Sequence, residues 1–292
     1  MKRSTAKVQP LITRRMDEMT SREVELYFQA GGDLIFVPMG PVSGHGAFIP
    51  MGIHAHWAQA ISLLLAGRAN GLVYPPVYTC YSGATRSFRG ACSFSIMEQT
   101  AILKQLVRMY KKQGFKRIVL VAGTTPENMA GQVAVREYFD ETEDPIWMLV
   151  CEQLLEEPSI KAMYEGYSGN FGETLISQAA LRILGRPRDV PYPDWARAPK
   201  NDDPDQPAEI TDDIGHLRKW GTIGFRYFEE GQHGNHGTAG IKHKGRDDVE
   251  LTVEILERCA DLVLPALEHY RHYQAWLQKH PFAYIIPSEK LT

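Results

Sequence analysis

Short, solidly apolar runs along the chain alternate with stretches in which apolar residues recur every third or fourth position. Residues 33–39 (Asp33-Leu-Ile-Phe-Val-Pro-Met39) form such a run, the pattern of a strand buried on both faces. Ahead of it, residues 21–30 read as a helix. Ser21 sits at the cap, Glu23 and Glu25 lie in the first turn, and Gly31-Gly32 provides a glycine stop. After it, a glycine-rich loop leads into a helical stretch over about 54–67. Ile102, Leu106, Val107 and Tyr110 have helical spacing across 101–113, with Gly114 as the stop, and residues 117–123 repeat the strand pattern. A further helix opens near Glu127, and 145–150 reads as another strand. Val249, Val253, Leu256, Val263 and Leu267 predict one long helix over 247–279, with a break expected near Pro265. Strands alternating with helices predict a parallel sheet covered on both faces.

Composition narrows this picture. The 292 residues, 43% hydrophobic and 23% charged, suit one sizeable soluble domain, placed at 21–292 behind a basic arm at 1–20. The arm has no apolar core of the kind that directs export, so a cytoplasmic location is expected. A net charge of −3 offers no field for nucleic acid or an anionic membrane, and no apolar run is long enough to span a bilayer. The expected partner is a small molecule. Between 186 and 213, prolines lie among Asp202, Asp203 and Asp205, which reads as an irregular surface excursion serving as a subunit contact, a lid or a bare loop. Cys80, Cys92, Cys151 and Cys259 are scattered without a C-x-x-C pair and read as reduced thiols, Cys80 alone falling close to a candidate site.

Ligands of doubly wound sheets sit at the carboxyl ends of the strands. Two loops leave such ends here, over 40–56 and 123–128. The first carries His45, His54 and His56, and the second carries Glu127. Were the loops to meet, His45, His54 and Glu127 would form a two-histidine, one-carboxylate set able to hold a catalytic zinc with an open water position, or another divalent ion. The spacing equally allows histidines that simply bond backbone carbonyls around a glycine-rich turn. His233 and His236 occupy a second glycine-rich loop as potential ligands or substrate contacts. Residues 166–174 form a glycine-bearing loop that runs into a helix beginning near Glu173. No G-x-S-x-G elbow, Walker loop or G-x-G-x-x-G turn is present.

Several of these segments resemble the creatininase (creatinine amidohydrolase) family. Gly40-Pro-Val-Ser-Gly-His-Gly-Ala-Phe-Ile-Pro-Met-Gly-Ile-His54 is similar to the family signature G-S-x-E-Q-H-G-P-H-L-P-L-x-T-D. Pro75-Pro-Val-Tyr-Thr-Cys-Tyr-Ser82 and Phe88-Arg-Gly90 resemble its P-P-x-x-Y-G-x-S and F-P-G-T segment. Residues 117–123 match the strand before its N-G-H loop, 166–174 its H-A-G-x-x-E-T-S, and 234–245 its G-D-P…A-T-x-E-K-G. The likeness runs in the family's order over about 33–177 and the last sixty or so residues.

The resemblance implies a three-layer α/β/α sandwich with a mainly parallel sheet, assembled as a homo-oligomer, commonly a hexamer. Family members hold two divalent metals bridged by an aspartate. The ligands private to one metal fall here at Ser43 and Thr124, neither a useful ligand. Those of the other fall at His45, His54 and Glu127. One divalent ion is therefore expected (zinc first, manganese or iron next), or none. The family's catalytic histidine falls at Tyr167 and its partner glutamate near Glu173, leaving Glu127, Tyr167, Glu173 and His56 as acid–base candidates. Ser43, Tyr78, Cys80, Thr124, His233 and His236 are the candidate substrate contacts. The expected activity is hydrolysis of an amide C–N bond, or a related ring-carbonyl bond, in a small polar cyclic substrate. Its rivals are a metal-independent cyclase, isomerase or lyase, and a non-catalytic binding protein of the same fold.

Overall fold

The computed structural model describes residues 13–45, 49–83, 86, 89–164, 173–187, 213, 216–217, 219–220 and 248–281. Its elements are α1 (Ser21–Gln29), β1 (Leu34–Met39), α2 (Ile53–Ala69), β2 (Leu72–Val73), α3 (Ile96–Gln113), β3 (Arg117–Ala122), α4 (Thr125–Thr142), β4 (Trp147–Val150), α5 (Cys151–Leu155), α6 (Pro158–Tyr164), α7 (Glu173–Ile183) and α8 (Asp248–Leu277). The four strands form a parallel sheet in the order β2-β1-β3-β4. β1 and β3 are its paired centre, from Leu34 opposite Arg117 to Met39 opposite Ala122.

All six residues of β1 are buried, as its unbroken apolar run predicts. Successive side chains point to opposite faces. Leu34, Phe36, Val119, Val121 and Leu149 enter one core with Trp57, Ile61 and Leu65 of α2, Ile176 of α7, and Leu256, Val263 and Leu267 of α8. Ile35, Val37, Met39, Ile118 and Leu120 enter the other with Tyr27 of α1, Leu103, Val107 and Tyr110 of α3, and Tyr138 of α4. The result is the α/β/α sandwich. α2 shows little apolar stripe because it is covered nearly all round: Ile53, Ala55, Trp57, Ala58, Ala60, Ile61 and Leu65 are all buried.

Several boundaries differ from expectation. The cap of α1 is Thr20, not Ser21, in a capping box with Glu23. α3 starts at Ile96 behind a second capping box, Ser95 with Glu98, ahead of the stretch where its apolar spacing becomes clear. Pro265 lies inside α8 without ending it, because Leu256, Cys259, Ala260, Val263, Leu267 and Tyr270 hold both halves against one core. In the expected basic arm, Met16–Glu18 form a 3-10 turn and Arg15 bridges to Val73, so residues 13–20 are tied to the sheet edge. Residues 1–12 and most of the 186–213 excursion lie outside the described residues. No helix among the described residues is long and apolar enough to cross a membrane.

Phe36 is fully buried at the sheet centre. Phe36→Ala is expected to cost about 3–5 kcal/mol and Ile35→Val about 0.5–1.5 kcal/mol, read as shifts in the urea unfolding midpoint.

Candidate metal centre

β1 and β3 are parallel neighbours, so the loops that follow them leave the same edge of the sheet. The loop after β1 begins at Gly40 and carries Ser43 and His45 before α2 starts at Ile53. The loop after β3 is two residues long, Gly123 and Thr124, and opens α4. Both glycines allow a close approach that no side chain would permit. A Cβ on Gly40 would stand 2.3 Å from the backbone N of Ala55, and one on Gly123 would stand 2.5 Å from the carbonyl O of His54. The first turn of α2 thus sits directly on both strand ends and delivers the His54 ring between them. Ser43 N–H donates to Met51 O at 3.0 Å, and Ile53 N–H to Pro50 O at 3.0 Å, closing the loop around His45.

α7 brings the third partner. It packs on α2 through Ala60, Ala180 and Leu184, and its first residue is Glu173. His45 Nδ1 lies 2.9 Å from Glu173 Oε2, and His45 Nε2 lies 2.9 Å from Ser43 Oγ. His54 Nε2 stands 3.9 Å from Glu173 Oε1. The two imidazoles meet edge to face with centroids 4.6 Å apart. One donor atom from each of His45, His54 and Glu173 falls within 4.8 Å of the others. Both histidines are buried, whereas the Glu173 side chain keeps 23% exposure, the most open side of the cluster.

The donor set suits a divalent cation. His54 Nε2 is a buried atom with no hydrogen-bond partner among the described residues, and it faces a carboxylate and a second imidazole. At 3.9 Å the Glu173 carboxylate is within ion-pair reach of Nε2 but beyond hydrogen-bond distance, a gap that a bound cation would fill. Burial works against a charge on His54, but the carboxylates of Glu127 and Glu173 outweigh it and raise its pKa well above the ordinary histidine range.

Glu127, the carboxylate expected beside the two histidines, is fully buried one step further back. Its Oε1 accepts from Thr124 N–H at 2.7 Å, its Oε2 accepts from Thr124 Oγ1 at 3.1 Å, and Oε2 lies 3.6 Å from His54 Nδ1. Gln99 of α3, which sequence reasoning missed, donates to Glu127 O at 3.1 Å and accepts from Tyr81 N–H at 2.7 Å. A glutamine in an amphipathic helix carries no mark of such a role until the loop above it is placed. His56 is two positions beyond His54 on α2, about 200° round the helix axis, and its ring instead flanks Gly52 beside Tyr78. Burial lowers the His56 pKa, helped by the charge of Arg186. Cys80 is buried with its thiol donating to Val77 O at 3.1 Å, and burial and the Glu127 charge push its pKa far up, away from thiolate chemistry. Tyr78 is partly exposed. Tyr167, His233 and His236 lie outside the described residues.

The chain matches the family model Creatininase (creatinine amidohydrolase) over residues 17–256. A creatinine amidohydrolase of Pseudomonas putida is 25% identical over 215 residues, spanning 65% of this chain and 81% of the relative. Among solved structures, a creatininase described as its Mn form superposes with a TM-score of 0.60 at 20% identity, covering 87% of this chain and 98% of its own. A creatininase variant of Zn-Zn type gives a TM-score of 0.59 at 19% identity with the same coverage of both chains.

Gly123→Ala is expected to destabilise the fold by about 1–3 kcal/mol through overpacking against the first turn of α2. Gly67 is exposed in the body of α2 with nothing within 4 Å of a Cβ, and serves as the control. Gly67→Ala should be neutral or stabilise by about 0.5–1 kcal/mol. Thermal melts of the two variants beside the parent check both values.

Proposed function

The chain belongs to the creatininase family, and on that premise we propose a metal-dependent hydrolase that holds one divalent cation between His45, His54 and Glu173. Creatininases are metal-dependent amidohydrolases, and forms containing Zn and Mn are known among its structural relatives. The bond proposed for attack is an amide C–N bond, or a related ring-carbonyl bond, in a small polar cyclic substrate. The observation that carries the reading is the buried Nε2 of His54, which makes no hydrogen bond among the described residues and lies beside the His45 ring and the Glu173 carboxylate.

A cation held by His45, His54 and Glu173 would supply Lewis acidity toward a carbonyl oxygen and would lower the pKa of a water molecule. The remaining work belongs to the protein. His45 and His54 are held by the loop after β1 and by the first turn of α2, so their rings need little rearrangement. Glu173, with 23% of its side chain exposed, is the most open of the three groups. Glu127 stays behind His54, bound to Thr124. In this reading the carboxylate ligand is Glu173 and not Glu127. Zinc is the first choice for two imidazoles and a carboxylate, with manganese or iron next. The acid–base group is proposed to be Tyr167 or, since it does not ligate in this reading, Glu127, and a homo-oligomeric, cytoplasmic enzyme of hexameric type is part of the same proposal.

One arrangement favours a second reading. Ser43 Oγ, His45 and Glu173 form a hydrogen-bonded chain with both links at 2.9 Å, the order of groups that activates a serine nucleophile without metal. Ser43 is fully buried, which hinders substrate approach and places this reading second.

Elemental mass spectrometry of the purified protein separates the two. About one divalent ion per chain is expected, with Glu173→Gln and His54→Ala binding at least about 100-fold more weakly. Glu127→Gln should keep a larger share of the affinity. Absence of uptake after incubation with divalent ions, with hydrolysis that survives chelation and vanishes in Ser43→Ala, would support the serine chain instead.

A further inference from the structure

Thr124 Oγ1 lies 3.0 Å from His54 Nδ1 and 3.1 Å from Glu127 Oε2, and all three groups are buried. The hydroxyl has one proton to give and lone pairs with which to accept. The Glu127 carboxylate accepts only, and its other oxygen already takes Thr124 N–H at 2.7 Å. The hydroxyl proton therefore goes to Glu127, and Thr124 turns a lone pair toward His54 Nδ1. Two lone pairs facing each other at 3.0 Å in a dry site would repel, so Nδ1 carries a proton and donates to Thr124. Oε2 of Glu127, 3.6 Å from Nδ1, favours the same proton by its charge. Once its proton is displaced, only Nε2 is left to offer a lone pair, and among the described residues Nε2 makes no hydrogen bond.

We propose that Thr124, held by Glu127, is a positioning residue that commits His54 to present Nε2 to a cation. The inference rests on the reading of His54 as a metal ligand and assigns a task to two groups outside the ligand set. It also accounts for the depth of Glu127. A carboxylate behind a ligating imidazole fixes the ring and raises its basicity without touching the metal. The Gln99 bond to the Glu127 carbonyl and the backbone of Gly123 against His54 hold both ends of this relay in place.

The test measures zinc affinity of the purified protein by competition with a chromogenic chelator, with no substrate present. Thr124→Val keeps the shape and removes the hydroxyl, and is expected to weaken zinc binding about 10–100-fold. Thr124→Ser restores the hydroxyl and is expected to bind within a few-fold of the parent. A melt of each metal-free variant separates lost positioning from lost folding. Histidine-selective 15N NMR of the zinc-loaded parent needs no variant, and should show His54 with a protonated Nδ1 and a metal-bound Nε2. Thr124→Val binding as tightly as the parent, or coordination through Nδ1, would overturn the proposal while leaving the metal centre standing. A parent that takes up no zinc would instead remove the metal reading, and this inference with it.

Discussion

The close seating of the first turn of α2 on the ends of β1 and β3 is the constraint from which the rest of the site follows. At Gly40 and Gly123 the backbone approaches α2 to distances at which a Cβ would collide with Ala55 N or His54 O. Because β1 and β3 pair in parallel, their following loops share an edge, and α2 spans the pair. One histidine is thereby placed on the loop, another on the helix start, and the α4 terminus with Thr124 and Glu127 lies beneath them. A displacement of α2 by a side chain's width would separate all three. The apolar surroundings of α2 keep that turn in place: it is packed by the sheet, α7 and α8 in one continuous core.

The electrostatics follow from the same seating. Two carboxylates, Glu127 and Glu173, lie on opposite sides of a buried imidazole, at 3.6 Å from Nδ1 and 3.9 Å from Nε2. They differ in what else they hold. Glu127 is fully buried and accepts from both the backbone N–H and the hydroxyl of Thr124. Glu173 is partly open and shared with His45. A cation bound between the rings would meet Glu173, whose carboxylate lies 2.9 Å from His45 Nδ1 and 3.9 Å from His54 Nε2.

Much of this was legible in the sequence, for local reasons. Solid apolar runs marked β1 and β3, glycine stops marked the ends of α1 and α3, and the rule that ligands gather at strand carboxyl ends singled out the loops that bear His45, His54 and Glu127. Three features were not legible. β2 is only two residues long, too short for any periodicity. The choice between Glu127 and Glu173 depends on α7 docking beside α2 through Ala60, Ala180 and Leu184, a long-range packing that spacing does not encode. The support from Gln99 likewise exists only once α3 lies under the loop at Tyr81. One signal was available locally: Thr124 followed by Glu127 three positions later is a helix-start pattern, and it binds that glutamate to its own helix terminus.

The most direct test of the central claim is X-ray absorption spectroscopy of the zinc-loaded protein, which reads the ligands around the metal without reference to any substrate. The account predicts two imidazoles and a carboxylate about the zinc, with one imidazole lost in His54→Ala. A coordination shell with no histidine scattering, or one that His54→Ala leaves unchanged, would contradict it.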